Sequence, residues 1–137
     1  MKIKLIDFGF KEKPFRAHDN DAGADVFAPS RINIEPGRTC KIPLGFGLEI
    51  PDGYVGFIFP RSSLSAQGII CELPPIDSGY RGEIHAIITN HSSSTYRIQE
   101  GDRIGQIVIL PTAICDFHGE TETGKERGNG AFGSTGK

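Results

Sequence analysis

Two short stretches of this 137-residue chain hold carboxylates where an acid–base or metal-orienting group could lie. In residues 21–25, DAGAD, Asp21 and Asp25 flank a glycine, and a solvated turn would also explain them. In residues 76–83, IDSGYRGE, Asp77 lies between an apolar residue and a turn, with Tyr80 close by. Such an Asp could act as a general base beside an aromatic stacking surface. An ordinary β-turn is the structural alternative.

A third stretch has the composition of a phosphate site. Residues 60–64, PRSSL, follow the apolar run YVGFIF and present Arg61, Ser62 and Ser63 at the start of a short helical segment. The hydroxyls, the backbone N–H groups and the guanidinium would together suit an anionic ligand. The alternative is that the serines only cap the helix.

A fourth stretch, GDRIGQ at 101–106, predicts a hairpin turn braced by an ion pair between Asp102 and Arg103. Gln106 then falls inside a strand, where its amide needs a hydrogen-bond partner.

The end of the chain, RGNGAFGSTGK, contains the pattern G-x-G-x-x-G at residues 128–133. The dinucleotide-binding fingerprint requires a helix after the glycines and an acidic residue about 20 positions further on. Four residues follow Gly133, and the final GK has no Ser or Thr after it. We therefore expect neither a Rossmann site nor a P-loop here.

The elements that must position these groups are β-strands. Apolar runs of four to eleven residues, several alternating with period two as in RINI, lie between turn clusters such as Pro36-Gly37. Other such runs are KIKLI, CKIPLGFGLEI, YVGFIF, EIHAIIT, TYRI and RIGQIVIL. Only residues 62–67 are a helical candidate. The pattern predicts an all-β fold, a sandwich or a barrel of jelly-roll type.

The strand pattern stops near Phe117, where a polar, glycine-rich segment with one aromatic residue begins. We expect a single β domain over 1–117 and a flexible arm over 118–137.

Composition excludes several classes of function. The net charge of -2 and pI near 6.1 argue against nucleic-acid and membrane-surface binding. No apolar run reaches the ~20 residues of a membrane helix, and no apolar leader opens the sequence. Three widely spaced cysteines suit a reducing compartment, so we expect a cytoplasmic protein. The spacing of Cys115 and His118 is a weak metal signal.

In this order, the segments NDAGADVFA, PRSSLS, IDSGYRGEI, GDRIGQIVI and RGNGAFGSTG resemble the five motifs of the homotrimeric dUTPases, from about residue 20 to residue 136. The resemblance implies a jelly-roll-like β-barrel with a glycine-rich arm, assembled as a homotrimer with shared active sites. It implies Mg²⁺-dependent hydrolysis of dUTP to dUMP and pyrophosphate, which limits uracil in DNA and supplies dUMP for dTMP synthesis. The arm would close over bound nucleotide.

The resemblance also assigns roles to residues. Asp77 would polarise the water that attacks the α-phosphorus and bind the 3′-OH, and Tyr80 would exclude a 2′-OH. Mg²⁺ would be held by the triphosphate and waters without a direct protein ligand, and Asp25 would orient a metal-bound water. The implied catalytic residues are Asp77, Asp25, Gln106 and Ser62. The implied substrate contacts are Arg61, Ser62, Ser63, Cys71, Pro75, Ile76, Asp77, Tyr80, Arg127, Phe132, Gly133, Ser134 and Thr135.

The chain departs from the family pattern before Asp77. Pro74 stands where a glycine is usual, and Cys71 stands where many bacterial members have Asn. Proline has no N–H and a fixed φ, so the backbone contacts to uracil are expected to differ.

The nearest alternative is a dCTP deaminase or a bifunctional deaminase–dUTPase on the same fold, with Glu83 activating water. Those relatives lack the full glycine-rich fifth motif, which this chain has. A jelly roll that binds a nucleotide or a protein without turnover is a second alternative. The presence of Asp77, Asp25 and Arg61 argues against it.

Overall fold

The computed structural model describes residues 1–119, and its secondary structure is almost entirely β. One four-residue helix, α1, interrupts ten strands in this part of the chain. In chain order the elements are β1 (Leu5–Asp7), β2 (Ala24–Phe27), β3 (Ile32–Ile34), β4 (Thr39–Pro43), β5 (Phe46–Leu48), β6 (Tyr54–Phe59), α1 (Ser62–Ser65), β7 (Ile69–Cys71), β8 (His85–Asn90), β9 (Tyr96–Ile98) and β10 (Arg103–Pro111).

The strands form four small antiparallel sheets. Two sheets have three strands, in the orders β2-β10-β6 and β4-β8-β7, and two are the pairs β1-β5 and β3-β9. Crossovers between strands distant in sequence are typical of jelly-roll connections. The all-β prediction is confirmed, although the ladders within residues 1–119 do not close into one continuous barrel.

One hydrophobic core joins the sheets, since strands this short are not stable on their own. Isoleucine dominates it, as expected of β-branched side chains on pleated surfaces. Residues without exposed surface include Ile42, Ala86, Ile88, Ile98 and Ile104. Buried and half-exposed residues alternate along β2 and along the first four residues of β8, which leaves the other face of each strand available for polar side chains.

Three local predictions need correction. The run CKIPLGFGLEI is two strands, because Gly45 has a φ of +79° and a Cβ there would lie 2.7 Å from the Cα of Phe10. The helix spans Ser62–Ser65 instead of 62–67. Strands β2 and β7 were not predicted.

The last strand ends at Pro111, and residues 112–119 contain no regular element. The boundary between residues 117 and 118 remains a prediction. In residues 1–119, no helix has the length and apolar character needed to cross a membrane.

Candidate functional site

The first group of predicted residues meets at one end of the β2-β10-β6 sheet. Strand β10 lies between the other two, so Gln106 is opposite Asp25 on one side and Phe59 on the other. Pro60 and the start of α1 follow Phe59 directly. We call this group the Arg61 cluster; it consists of Asp25, Arg61, Ser62, Ser63, Arg103 and Gln106.

Arg103 links two members of the Arg61 cluster. Its Nη1 lies 3.4 Å from Oδ2 of Asp25, whose side chain is 19% exposed. Its carbonyl accepts a hydrogen bond of 3.4 Å from Nη1 of Arg61. The predicted brace to Asp102 is therefore wrong for Arg103: Asp102 instead accepts a hydrogen bond from the N–H of Gln99 at 2.9 Å. The sequence reasoning missed the pairing of Arg103 with Asp25.

Gln106 has the partner that its place in a strand requires. Its Nε2 donates to the carbonyl of Pro60 at 3.1 Å. The side chain also lies against Gly23, where a Cβ would be 2.6 Å from Oε1 of Gln106. The amide is thus held beside the residue that precedes Arg61.

The two serines are free for a ligand. The N-terminus of α1 has no side-chain cap, so the capping alternative is wrong. Within residues 1–119 the hydroxyls of Ser62 and Ser63 make no hydrogen bond, and both residues are exposed.

The two carboxylates of DAGAD have different fates. Asp21 lies in an exposed turn, where its Oδ2 accepts a 2.9 Å hydrogen bond from the N–H of His18, so the solvated-turn interpretation is right for Asp21. It is wrong for Asp25, which lies on β2.

A second site forms where the ladder between β7 and β8 stops. The N–H of Glu72 still donates to the carbonyl of Ile87 at 2.8 Å. Pro74 and Pro75 follow and have no N–H to continue the ladder. The chain then turns to β6, where Ile76 and Gly56 exchange hydrogen bonds of 2.8 and 3.0 Å. We call the gap between residues 74–77 and residues 80–87 the Pro74 slot.

The backbone of His85 faces the Pro74 slot. Asn90 and Ile84 bond to Arg38 and Phe46 on the β4 side of β8, so even-numbered residues of β8 direct their polar groups to that side. The N–H and C=O of His85 therefore point the other way, towards the slot. Within residues 1–119 no strand pairs with them there, which leaves a donor and an acceptor side by side.

Tyr80 closes one end of the Pro74 slot. Its N–H donates to the carbonyl of Asp77 at 3.0 Å, so the predicted turn exists. Its hydroxyl donates to the carbonyl of Glu83 at 2.7 Å, and a Cβ on Gly82 would meet that hydroxyl at 2.5 Å. The ring, with Tyr80 44% exposed, is held over Gly82 and lines the same cavity as Asp77.

The slot encloses a cavity of about 210 Å³. This is below the ~300 Å³ at which drug-sized pockets begin, so it suits one ring and part of a sugar. The lining includes Pro74, Pro75, Ile76, Asp77, Tyr80, His85 and Ile87, with Lys41, Glu72 and Glu83 as charged groups.

Two of these charged groups are already engaged. Oε2 of Glu83 accepts a hydrogen bond from the N–H of Gly45 at 2.9 Å, and Oε2 of Glu72 accepts one from the hydroxyl of Thr89 at 2.8 Å. A Glu83 tied to the backbone is poorly placed to activate water, which weakens the deaminase alternative.

Cys71 lies behind the slot, in the core, with 5% of its surface exposed. Burial, and secondarily the charge of Glu72, raises the pKa of its thiol to about 11. The side chain is therefore a neutral packing group. Any contact with a ligand would have to come from its backbone.

Asp77 of the Pro74 slot and Arg61 of the Arg61 cluster are far apart within one chain. The bridge between Gly56 and Ile76 is antiparallel, so the chain beyond Ile76 runs away from Arg61. Arg61 lies five residues past Gly56 along extended backbone, about 16 Å at ~3.3 Å per residue. Asp77 and Arg61 are thus on the order of 20 Å apart, whereas catalytic groups must lie within about 3 Å of the atoms they act on.

Residues 1–119 contain no group of three or more His, Cys, Asp or Glu side chains that could hold a metal. The weak signal from Cys115 and His118 gains no support. Five predicted residues, Arg127, Phe132, Gly133, Ser134 and Thr135, lie outside the described residues.

Comparison with known proteins gives a consistent result. The dUTPase family model matches residues 11–136. The deoxyuridine 5′-triphosphate nucleotidohydrolase of Gloeobacter violaceus is 43% identical over 129 residues, covering 90% of this chain and 88% of the relative. That of Clostridium tetani is 38% identical and covers 100% and 97%.

Solved structures agree. A Staphylococcus bacteriophage 80alpha dUTPase mutant with dUpNHpp has a TM-score of 0.83 at 28% identity, covering 99% of both chains. A mutant of the dUTPase from phage phi11 of S. aureus, whose structure concerns coordination of a structural Mg(II) ion, has a TM-score of 0.81 at 26% identity, covering 90% of this chain and 99% of the other. With its motifs, its fold and nearly its whole length matched, this chain belongs to the dUTPase family.

Proposed function

We propose that this chain hydrolyses dUTP to dUMP and pyrophosphate by attack of water on the α-phosphorus. The observation that carries the proposal is the Pro74 slot, where the N–H and C=O of His85, unpaired within residues 1–119, face a cavity sized for one ring. The edge of uracil has an acceptor, O4, beside a donor, N3–H. Cytosine reverses both, so it would leave a buried donor and acceptor unpaired, which is costly.

Asp77 and Tyr80 would have separate roles at the sugar end of the slot. Asp77, exposed beside the cavity, would take the proton of the attacking water and bind the 3′-OH. Tyr80 is held rigidly by its hydrogen bond to Glu83, so its ring would pack on the deoxyribose and leave no room for a 2′-OH.

The Arg61 cluster would bind the triphosphate, which carries about four negative charges. Arg61 supplies a cation, and the hydroxyls of Ser62 and Ser63, which make no hydrogen bond within residues 1–119, supply donors. Ser62 would stabilise the charge that develops on the leaving oxygen between the α- and β-phosphorus. Gln106, already oriented by Pro60, would contact a phosphate oxygen.

The cluster also fits the Mg²⁺ that the family implies. Asp25 is the one carboxylate of the cluster, and its Oδ2 is held by Arg103. A single oriented carboxylate suits an ion that keeps most of its waters and takes its other ligands from phosphates. When bound, Mg²⁺ would offset phosphate charge. Asp25 would accept a hydrogen bond from a metal-bound water.

The active site would be shared between copies of the chain. Since Asp77 and Arg61 are on the order of 20 Å apart within one chain, both can act on the phosphates of one nucleotide only if they come from different subunits. A homotrimer meets this need. Arg127, Phe132, Gly133, Ser134 and Thr135 of the arm would then close over the nucleotide, with Phe132 stacked on the base and the polar residues on the phosphates.

In the cell, this activity would limit uracil in DNA and supply dUMP for dTMP synthesis. We propose a cytoplasmic location, which the free thiols of Cys40, Cys71 and Cys115 support.

Pyrophosphate release from dUTP, dCTP, dTTP and UTP, each with Mg²⁺, tests the proposal. We expect dUTP to be turned over with at least about a hundredfold preference in kcat/KM, as expected of a site that hydrogen-bonds the base edge. Equal rates on all four would show that the slot does not read the base. Absence of turnover on any of them would refute the proposed activity.

A further inference from the structure

We propose that Lys41 selects uracil over cytosine by donating a hydrogen bond to O4 of the base. The inference rests on the proposed function of the Pro74 slot. Lys41 would give O4 a second donor, besides the N–H of His85.

One wall of the slot is short of donors. Pro74 and Pro75 have no N–H. The N–H of Glu72 is used by Ile87, and that of Ile76 is used by Gly56. Only Leu73 retains a free N–H along residues 72–76 of this wall. The donors for the base must therefore come mainly from the other side of the slot.

Lys41 lies at the end of the slot that is farthest from Tyr80. It is directly opposite Ile87 in the β4–β8 ladder, and Glu72 is bonded to Ile87 from the other side. Side chains of directly opposed residues lie on the same face of a sheet. Lys41, Ile87 and Glu72 thus form a row across three chain segments, and all three line the cavity.

In a pyrimidine bound in the slot, the substituent on C4 would lie beside the row formed by Lys41, Ile87 and Glu72. The sugar is attached at N1, and C4 is the ring atom opposite N1. With the deoxyribose at Tyr80, the substituent on C4 is the part of the base that reaches farthest into the slot. In uracil it is an acceptor oxygen, and in cytosine it is a donor amine. A lysine ammonium has three donors and no acceptor, so it favours uracil.

The other charged residue in the row does not compete. The Glu72 carboxylate accepts a hydrogen bond from Thr89, whose hydroxyl lies 2.8 Å from that of Thr39. Lys41 has no ion pair or side-chain hydrogen bond within residues 1–119. The free charged group at the far end of the slot is therefore a donor.

The test compares Lys41→Met with Lys41→Arg and with the matched control Lys4→Met, which removes the same charge from an exposed position outside the cavity. Pyrophosphate release from dUTP and dCTP gives kcat and KM, and calorimetry gives the affinities for dUMP and dCMP. We expect Lys41→Met to raise KM for dUTP about tenfold, the loss of ~1.4 kcal/mol, with kcat nearly unchanged. Its values for dCTP should not move. Lys41→Arg and Lys4→Met should retain most of the preference for dUTP over dCTP.

The inference would be overturned if the preference of Lys41→Met for dUTP over dCTP stayed within about twofold of that of the unaltered chain. An equal loss of this preference in Lys4→Met would also overturn it. Should the unaltered chain release no pyrophosphate from dUTP, the proposed function would fail independently. The ratio of dUMP to dCMP affinity would then still decide the role of Lys41.

Discussion

The Arg61 cluster and the Pro74 slot are built by opposite means. In the Arg61 cluster, side chains hold one another: Arg103 holds Asp25 and Arg61, and Gln106 is held by Pro60. In the Pro74 slot, the backbone forms most of the site, because the β7–β8 ladder is interrupted and two prolines follow. The difference suits the tasks that we propose for the two sites. Binding phosphate needs charged side chains, whereas selecting one base among four needs a rigid wall.

The largest effect is expected at Asp77, the carboxylate that we propose takes the proton of the attacking water. Asp77→Asn keeps the shape of the side chain and removes the base, so kcat should fall by about 10²–10⁴-fold. Binding of dUpNHpp and the melting temperature should stay near those of the unaltered chain. Stopped-flow kinetics and calorimetry measure these quantities. An unchanged kcat would remove Asp77 from the mechanism.

Gly82→Ala tests whether the slot depends on backbone shape. A Cβ at residue 82 would meet the Tyr80 hydroxyl at 2.5 Å and push it from the Glu83 carbonyl. We expect kcat/KM for dUTP relative to UTP to fall about tenfold, the equivalent of one lost hydrogen bond. Gly79→Ala is the control, since a Cβ there meets nothing within 4 Å. The same ratio in both variants would mean that Tyr80 does not exclude the 2′-OH.

Arg103→Met tests the side-chain network of the Arg61 cluster. The pair with Asp25 is partly exposed, and such pairs contribute about 0.2–1 kcal/mol. We expect the Mg²⁺ concentration for half-maximal binding of dUpNHpp to rise about two- to fivefold, measured by titration calorimetry. Arg97→Met, on the exposed face of β9, is the matched control. A Mg²⁺ dependence identical to that of the control would show that Arg103 does not position Asp25.

Pro74→Gly should have the smallest effect. Glycine restores an N–H, but it makes this wall more flexible and raises the conformational entropy of the unfolded chain. The free energy of unfolding should therefore fall by about 0.4–1 kcal/mol. Selectivity for dUTP over dTTP should fall a few-fold, because a more flexible backbone at residue 74 would exclude the 5-methyl group of thymine less strictly. Pro36→Gly, in a distant turn, should lower Tm similarly without changing selectivity. A Pro74→Gly variant with higher Tm would indicate that the proline is strained.

The sequence predicted those parts of the site that are contiguous in the chain. Arg61, Ser62 and Ser63 follow one strand directly, and Asp77 and Tyr80 share one turn, so their local order already expresses their arrangement. The all-β class followed in the same way from short apolar runs between turn clusters, such as the alternating run that forms β3.

The parts that failed depend on register between distant strands. Arg103 meets Asp25 only because the β10–β2 ladder shifts between Arg103 and Gly105, which no local pattern encodes. The direction of the His85 N–H and C=O depends on which residues of β8, the even- or the odd-numbered ones, bond towards β4. Strand β7 has three residues, too few for alternation to show. Gly45 could have been found, since a glycine inside an apolar run signals a break.

Mixing two inactive variants tests the central claim, that one chain holds two half-sites that meet only between subunits. Asp25→Ala removes one half and Asp77→Asn removes the other. The two are unfolded, mixed in equal amounts and refolded together, and pyrophosphate release from dUTP is measured. Random assembly should restore up to about a quarter of the activity of the unaltered chain, since half of the subunits supply each intact half. A mixture no more active than the average of the two variants alone would mean that both halves serve a site within one chain.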